Sequence, residues 1–469
     1  MELFNTCLKL AKFPDPLKVG NIILFHKHCK SKTEASSYRP ISLLPTIDKV
    51  LEKLTQHLNF HLEKNNRLSN LQYGFHEGKS TEMAITKLLD TIYKGMASGD
   101  HVLVLSVDIK GAFDNIQHKV IVSYHGNSKC PANMVNIFKN LLQNRKVILN
   151  TCEGPAIMDQ KQGCPQGSCS GLSLWNLVPN EILPENWPIN TSIQAFADDL
   201  VSHAPTRIQL QSQNNESIAK FSTWASKNQL QISPDKANYL LISKLVRGHT
   251  IRWQGERIKK THAIKYLGVY IDEKMNRDTH LTAQSTRATQ LYQNLLKIDG
   301  KSWRVALKHR RTLYKTVIEL VLAHGSVTWC LEPTVRIARK LSMIQRPFLL
   351  AISDAYRTTS TAALQVILGI PPLHLQLQRE ARGTALCRLR LSLSTNVSDI
   401  APSEIEGKAA GWSAHPSEHL SPTQISLDDG GNINTGLGIY TDGSKTEKRM
   451  GAAFCVLTDV NITHRWSVS

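Results

Sequence analysis

Phe196-Ala197-Asp198-Asp199-Leu200 is the stretch on which the reading of this chain turns. Two adjacent acids stand between apolar segments, Ile193 to Phe196 before them and Leu200-Val201 after them. Apolar runs flanking a short polar pair predict a β-hairpin with the acids at its turn. Upstream, the apolar run His101 to Val107 leads straight into Asp108, a second predicted strand with a carboxylate at its end. Three carboxylates at strand ends suit a pair of divalent cations. Such a pair clamps the attacking and leaving oxygens of an in-line phosphoryl displacement. The hairpin's return limb is expected to be short, because Leu200-Val201-Ser202-His203 offers few apolar residues. Spacing does not bring Asp108 beside the hairpin tip; that adjacency is an expectation of topology.

Composition narrows the partners. The chain has 469 residues, 41% of them apolar and 20% charged, enough to fold and long enough for about two to four domains. Its 56 Lys and Arg outnumber 38 Asp and Glu, for a net charge of +18. A surplus of that size favours a polyanion, because neutralised phosphates release counterions; on charge alone, a basic surface without a specific role is the other reading. The nine cysteines contain no CxxC pair and no zinc-finger set, and His26-Lys27-His28-Cys29 lacks a second half. Their odd number and scatter suit a reducing compartment. No apolar run approaches the ~20 residues that span a bilayer, and no secretory leader is read. The expected location is therefore nuclear or cytoplasmic, without a membrane.

Periodicity supplies the organisation. Val19 to Phe25 reads as a strand. Ile47 to Leu62 has apolar residues at 47, 50, 51, 54, 58 and 62, a helical rhythm, and Glu82 to Met96 repeats it behind Thr81 as a cap. After Asp108 a mixed helical region is predicted up to Asn150, and Arg207 to Leu230 reads as a helix. Tyr239 to Ser243 and Lys265 to Asp272 read as strands, and Thr279 to Leu368 as basic helices. Asn396 to Gly436, rich in Ser, Pro, Gly and Asn, reads as linker. Ile439 to Asp442 and Ala452 to Leu457 read as two strands of a further domain.

Six motifs in order carry a family resemblance. They are Ser37-Tyr38-Arg39-Pro40-Ile41-Ser42-Leu43-Leu44-Pro45; Gln72-Tyr73-Gly74-Phe75 with Ser80-Thr81; Asp108-Ile109-Lys110-Gly111-Ala112-Phe113-Asp114; Gly163-Cys164-Pro165-Gln166-Gly167-Ser168; Phe196-Ala197-Asp198-Asp199; and Lys265-Tyr266-Leu267-Gly268-Val269. Together they resemble the reverse transcriptase of arthropod non-LTR (LINE-type, jockey-like) retrotransposons. Tyr440-Thr441-Asp442-Gly443-Ser444 resembles the opening strand of the ribonuclease H domain that some of these elements carry.

The resemblance implies an α+β fold, a right-hand polymerase. Fingers and palm with an antiparallel sheet would occupy 1–275 and a helical thumb 276–370. A linker over 371–436 and a truncated ribonuclease H-like domain over 437–469 would follow. It implies RNA-directed DNA polymerisation, with an RNA template, a DNA primer, deoxynucleoside triphosphates and two Mg²⁺, for which Mn²⁺ can substitute. Asp108 and Asp198 are then the main metal ligands and Asp199 a supporting one. Arg39 and Lys27 are the triphosphate clamps, since an Arg fork and a Lys point charge both suit phosphate oxygens. Phe113 is the aromatic floor under the incoming sugar. Gln166 lines the nucleotide pocket, and Gly167 lets backbone approach the template. Lys236 is the general acid for the leaving pyrophosphate. Arg304, Lys308, His309, Arg310, Arg311 and Lys315 would track the template–primer backbone. The chain is expected to be an open-ended piece of an element. A non-catalytic nucleic-acid-binding fragment of a decayed element is the alternative.

Overall fold

The computed structural model describes residues 2–27, 30–53, 67–76, 78–127, 132–164, 167–168, 170–196, 199–243, 250–299, 306–394, 399–404, 437–445, 450–458 and 461–468. Two compact units result, Met1–Ile400 and Ala401–Ser469.

Two sheets organise the first unit. In chain order their main strands are β1 (Val19–His26), β2 (Tyr38–Leu43), β3 (His101–Ser106), β4 (Lys146–Thr151), β5 (Gly154–Asp159), β6 (Thr191–Gln194), β7 (Asp199–Ala204) and β8 (Asn238–Ile242). One sheet has the order β2-β1-β4-β5; the other runs Lys259–Lys260, β8, β3, β7, β6.

β3 is the centre of the second sheet. Its side chains alternate between two cores, as a period of two requires. Leu103 and Leu105 join Tyr239, Leu241 and the helix Arg207–Lys227, which contributes Leu210, Ile218, Phe221 and Trp224. Val102 and Val104 face the other way, onto Leu240, Ile242 and the helix Thr81–Ala97 through Ala84, Ile85, Leu88 and Ile92. Four consecutive apolar residues, Val102 to Leu105, are what burial on both faces demands. Ser80, one residue before the expected Thr81, caps that second helix by accepting from the Met83 N–H.

The return limb of the hairpin is longer than its side chains foretold. β7 pairs along all six residues with β3, from Ser106 opposite Asp199 to His101 opposite Ala204. The neighbouring strands dictate its length, not its own apolar content. β4 begins inside the stretch where mixed helix was predicted, and it forms a hairpin with β5 beyond that stretch. β5 is exposed throughout and so shows no alternation.

Helix Thr46–Lys53 turns a different face inward from the one its apolar rhythm indicates. Asp48, Leu51 and Glu52 are buried, whereas Ile47 and Val50 are exposed. The reason lies in the site described below: a buried guanidinium needs those acids.

Helices from Asp278 onward share a core of Tyr314, Leu322, Trp329, Leu341 and Phe348. The helix Leu373–Cys387 adds Leu373 and Leu377 to it. The linker expected from 371 is therefore corrected at its start. Gly369 and Pro371-Pro372 look like a chain break, but proline is well tolerated where a helix begins. Most of the remaining expected linker lies outside the described residues. The second unit contains the antiparallel strands Leu437–Lys445, Met450–Thr458 and Asn461–Val468, one more than the sequence predicted.

Leu88 is 1% exposed. Leu88→Ala is expected to lower the unfolding free energy by about 2–5 kcal/mol in a urea titration. Val366→Ala, at a side chain 82% exposed, should change it by no more than about 0.5 kcal/mol. Equal effects would mean that helix Thr81–Ala97 is not packed on β3.

Candidate functional site

The end of β3 and the start of β7 lie side by side, with Ser106 opposite Asp199. Asp108 follows two residues after Ser106, and residues 195–198 link β6 to β7 from the paired Gln194 and Asp199. The segment bearing Asp108 and the turn bearing the twin acids therefore share one end of the sheet. Asp198 and the Asp199 side chain lie outside the described residues.

Backbone hydrogen bonds hold Asp108 where the strand ends. The Ser233 N–H donates to the Asp108 carbonyl at 2.9 Å, and the Lys110 N–H to the Gln231 carbonyl at 2.7 Å. The same 231–237 segment presents Lys236, whose Nζ donates to Asp108 Oδ2 at 2.8 Å. Both side chains are well exposed, 66% for Lys236 and 44% for Asp108. In that setting the pair adds little to stability. Its consequence is local: an ammonium offsets the Asp108 carboxylate.

Carboxylate oxygens are the hard donors that Mg²⁺ takes, and the backbone adjacency of Asp108 and Asp199 at one sheet end suits that chemistry. Among the described residues, no three metal-ligating side chains cluster.

Of the expected nucleotide-facing residues, Phe113 and Gly167 border the loop that begins at Gly163. Phe113 stands in the helical turn Ala112–Asn115, its ring 5.6 Å from Trp175 and 6.2 Å from Phe75 between centroids. The loop from Gly163 hangs from this turn. The Cys164 N–H donates to the Phe113 carbonyl and the Gly163 N–H to the Ile116 carbonyl, both at 2.7 Å. His118 Nε2 donates to the Gly163 carbonyl at 2.8 Å, and burial pulls the imidazole's pKa below its ordinary value. Only glycine fits at 163: φ is +78°, and a Cβ would stand 2.5 Å from the Asp114 carbonyl oxygen. Gly167, at φ +106°, brings the loop against β2, where a Cβ would meet the Ser42 carbonyl oxygen at 3.0 Å. Arg39 is exposed on that strand, opposite Phe25. Lys27 sits on the same hairpin, its Nζ donating to the Ser36 carbonyl at 2.7 Å. Gln166 lies outside the described residues.

One of the basic residues expected along the thumb is structural instead. Arg310 is buried, and its guanidinium donates to the Ala351 carbonyl at 2.8 Å and to Asp354 at 3.1 Å. It joins helices within the core where a phosphate contact was expected. Arg311 is exposed and donates to the Gly369 carbonyl at 3.0 Å. Arg304 lies outside the described residues.

A family model described as reverse transcriptase (RNA-dependent DNA polymerase) matches residues 28–271, more than half of the chain. The chain belongs to the reverse transcriptase family. It is 29% identical over 379 residues to a 115 kDa protein attributed to type-1 retrotransposable element R1DM of Drosophila melanogaster, covering 80% of this chain and 36% of that one. It is 25% identical over 400 residues to the RNA-directed DNA polymerase from mobile element jockey of the same fly, covering 81% and 42%. The chain thus spans less than half the length of these relatives. These kinships make it a reverse transcriptase of the non-LTR retrotransposon kind. Among solved structures, a Candida tropicalis telomerase in complex with a telomeric RNA fragment aligns over 81% of this chain and 63% of that one. The identity is 11% and the TM-score 0.44, too low to decide a fold. No helix among the described residues is long and apolar enough to cross a membrane.

Sequence reasoning missed the buried polar cluster that backs this reverse transcriptase's loop. Arg145 is 2% exposed, Asp48 and Glu52 fully buried. Ser170, at the start of the helix Ser170–Leu177 that follows the loop, donates to Glu52 at 2.9 Å. The acids and the guanidinium attract one another electrostatically, and Cys164 lies in their field. Burial, reinforced by the neighbouring Glu52, pushes the Asp48 carboxyl up to about 7. Asp48 therefore keeps its proton to a higher pH than a solvated carboxyl does. The available signal was Asp48 and Glu52 four residues apart on one helical face, which the apolar rhythm outweighed.

The sign of the pH dependence follows. Between the ordinary carboxyl value of 3.8 and about 7 the folded chain holds a proton on Asp48 that the unfolded chain releases. That contribution to stability falls as pH rises through the window and levels off above it. Asp48→Asn, which mimics the protonated acid, is expected to gain on the native sequence by roughly 2–3 kcal/mol between pH 5 and pH 8 in denaturant titrations. An equal difference at both pH values would show Asp48 ionised throughout.

Proposed function

We propose that this chain carries the polymerase core of an arthropod non-LTR, jockey-like retrotransposon and extends a DNA primer 3′ end on an RNA template. The observation that carries the reading is the convergence of the Asp108 strand end and the Asp199 hairpin at one end of the β3–β7 pair. Asp108, Asp198 and Asp199 would hold two Mg²⁺, or Mn²⁺ in their place. Bound there, the ions make the primer hydroxyl a better nucleophile and offset charge on the phosphates.

The chain's own side chains do the rest. Arg39 grips triphosphate oxygens with a forked donor set, and Lys27 adds a point charge from the same hairpin. Phe113 supports the sugar and excludes a 2′-hydroxyl by bulk. Gln166 and Gly167 border the base pair being formed. Lys236, which neutralises Asp108 in the free chain, hands a proton to the departing pyrophosphate. The helices from Asp278 form the thumb of a right-hand polymerase, and the meander beginning at Leu437 is the opening sheet of a ribonuclease H-like domain. Such an element acts on nuclear DNA.

A primer-extension assay with purified chain, an RNA template, a labelled DNA primer and Mg²⁺ tests this. The native sequence is expected to extend the primer. Asp198→Ala and Asp108→Ala should each slow extension by at least about 10³-fold, and Lys236→Ala by about 10²-fold. RNA binding without extension in either Mg²⁺ or Mn²⁺ would replace the polymerase with a non-catalytic nucleic-acid-binding fragment. Extension that survives Asp198→Ala would remove the site assignment.

A further inference from the structure

Phe75 combines three properties that core packing alone does not explain. It has φ +53°, a left-handed backbone conformation that a bulky side chain seldom adopts. Its side chain is 49% exposed despite being a large aromatic. Its ring also meets Phe113 edge-on, at 6.2 Å between centroids and 76° between planes, and Phe113 in turn leans on the buried Trp175.

The strained backbone is pinned by its surroundings. Asn176 Nδ2 donates to the Gly74 carbonyl at 3.0 Å and to the Phe75 carbonyl at 2.9 Å. Gln72 Nε2 donates to Asn176 Oδ1 at 2.7 Å, and both amides are 2% exposed. The Tyr73 N–H donates to the Ala195 carbonyl at 2.8 Å, and the Ala195 N–H to the Leu71 carbonyl at 3.0 Å. The loop that carries Phe75 is thereby fastened to the chain entering the twin-acid turn. A costly conformation held by buried side-chain amides, with an aromatic face left open, is the pattern found where strain serves a ligand.

We infer that Phe75 is a stacking platform for a nucleobase at the polymerase site. A nucleobase offers a flat π-face that an aromatic side chain binds with little regard for sequence. The base comes from the template strand or from the incoming nucleotide; the chemistry recognised is the same. The inference rests on the polymerase reading, and its own content is the added role of Phe75 beside Phe113.

The test uses Phe75→Asn, which tolerates the left-handed conformation, and Phe75→Tyr, which keeps the ring. The melting temperature, the affinity for an RNA-template/DNA-primer duplex, and the apparent Kd for a single deoxynucleoside triphosphate are measured on each purified chain. Phe75→Asn is expected to melt no lower than the native sequence, because it relieves strain and gives up a half-exposed ring. It should weaken binding by about 5- to 100-fold, while Phe75→Tyr binds as the native chain does. A loss confined to the duplex assigns the platform to the template base; a loss confined to the nucleotide assigns it to the incoming base. Unchanged binding of both by Phe75→Asn overturns the inference and leaves the polymerase reading intact. So does a fall in melting temperature without loss of binding, which would make Phe75 a packing residue. A native chain that binds neither duplex nor nucleotide overturns the polymerase reading, and this inference with it.

Discussion

The pairing of β3 with β7 is the constraint on which the molecule depends. β3 is buried on both faces, with Leu103 and Leu105 in one core and Val102 and Val104 in the other. Side chains alternate with a period of two, so a slip of one residue would exchange the two sets between cores of different shape. Packing on both sides therefore forbids the slip. With register locked, Ser106 must face Asp199, and the backbone segments that carry Asp108 and Asp199 share one end of the sheet. At that end the ammonium of Lys236 offsets the Asp108 carboxylate.

Around that rigid centre, the loops are positioned by buried polar groups. The loop after Gly163 hangs from the carbonyls of Phe113 and Ile116 and is backed by Asp48, Glu52 and Arg145. The loop carrying Phe75 is held by Gln72 and Asn176. Buried amides and ion pairs have strict geometric needs, and each unsatisfied group is costly. They specify one loop conformation where apolar packing would accept several. The helical unit is tied in by the same means: His324 Nε2 donates to the Leu267 carbonyl, at the turn of the hairpin Ala263–Tyr266/Val269–Asp272, at 2.7 Å.

Legibility in the sequence followed the strength of the local signal. β3, the helices Thr81–Ala97 and Arg207–Lys227, and the hairpin at the twin acids have strong periodicity or flanking turn residues, and they lie where the sequence predicts them. β5 was unreadable because it is exposed on both faces and has no alternation. The orientation of Thr46–Lys53 was misread because the hydrophobic rule has no place for a buried acid until its guanidinium partner, 93 residues away in sequence at Arg145 from Glu52, is known. Arg310 fails for the converse reason. A basic residue on a helix looks solvated until the carbonyl and the carboxylate that it reaches on another helix are placed.

By itself, the sequence determined the chemistry on offer: carboxylates at two strand ends, a basic chain suited to a polyanion, and ordered motifs that belong to the reverse transcriptase family. Those properties reside in residue types and near neighbours, which local steric and hydrophobic rules can read. Only the tertiary structure decided which distant groups meet. It paired Asp108 with Lys236, backed the Gly163 loop with Asp48 and Arg145, and stood Phe75 beside Phe113. The physical reason is that burial and strand register act across the whole chain, and they set distances between residues that no local pattern relates.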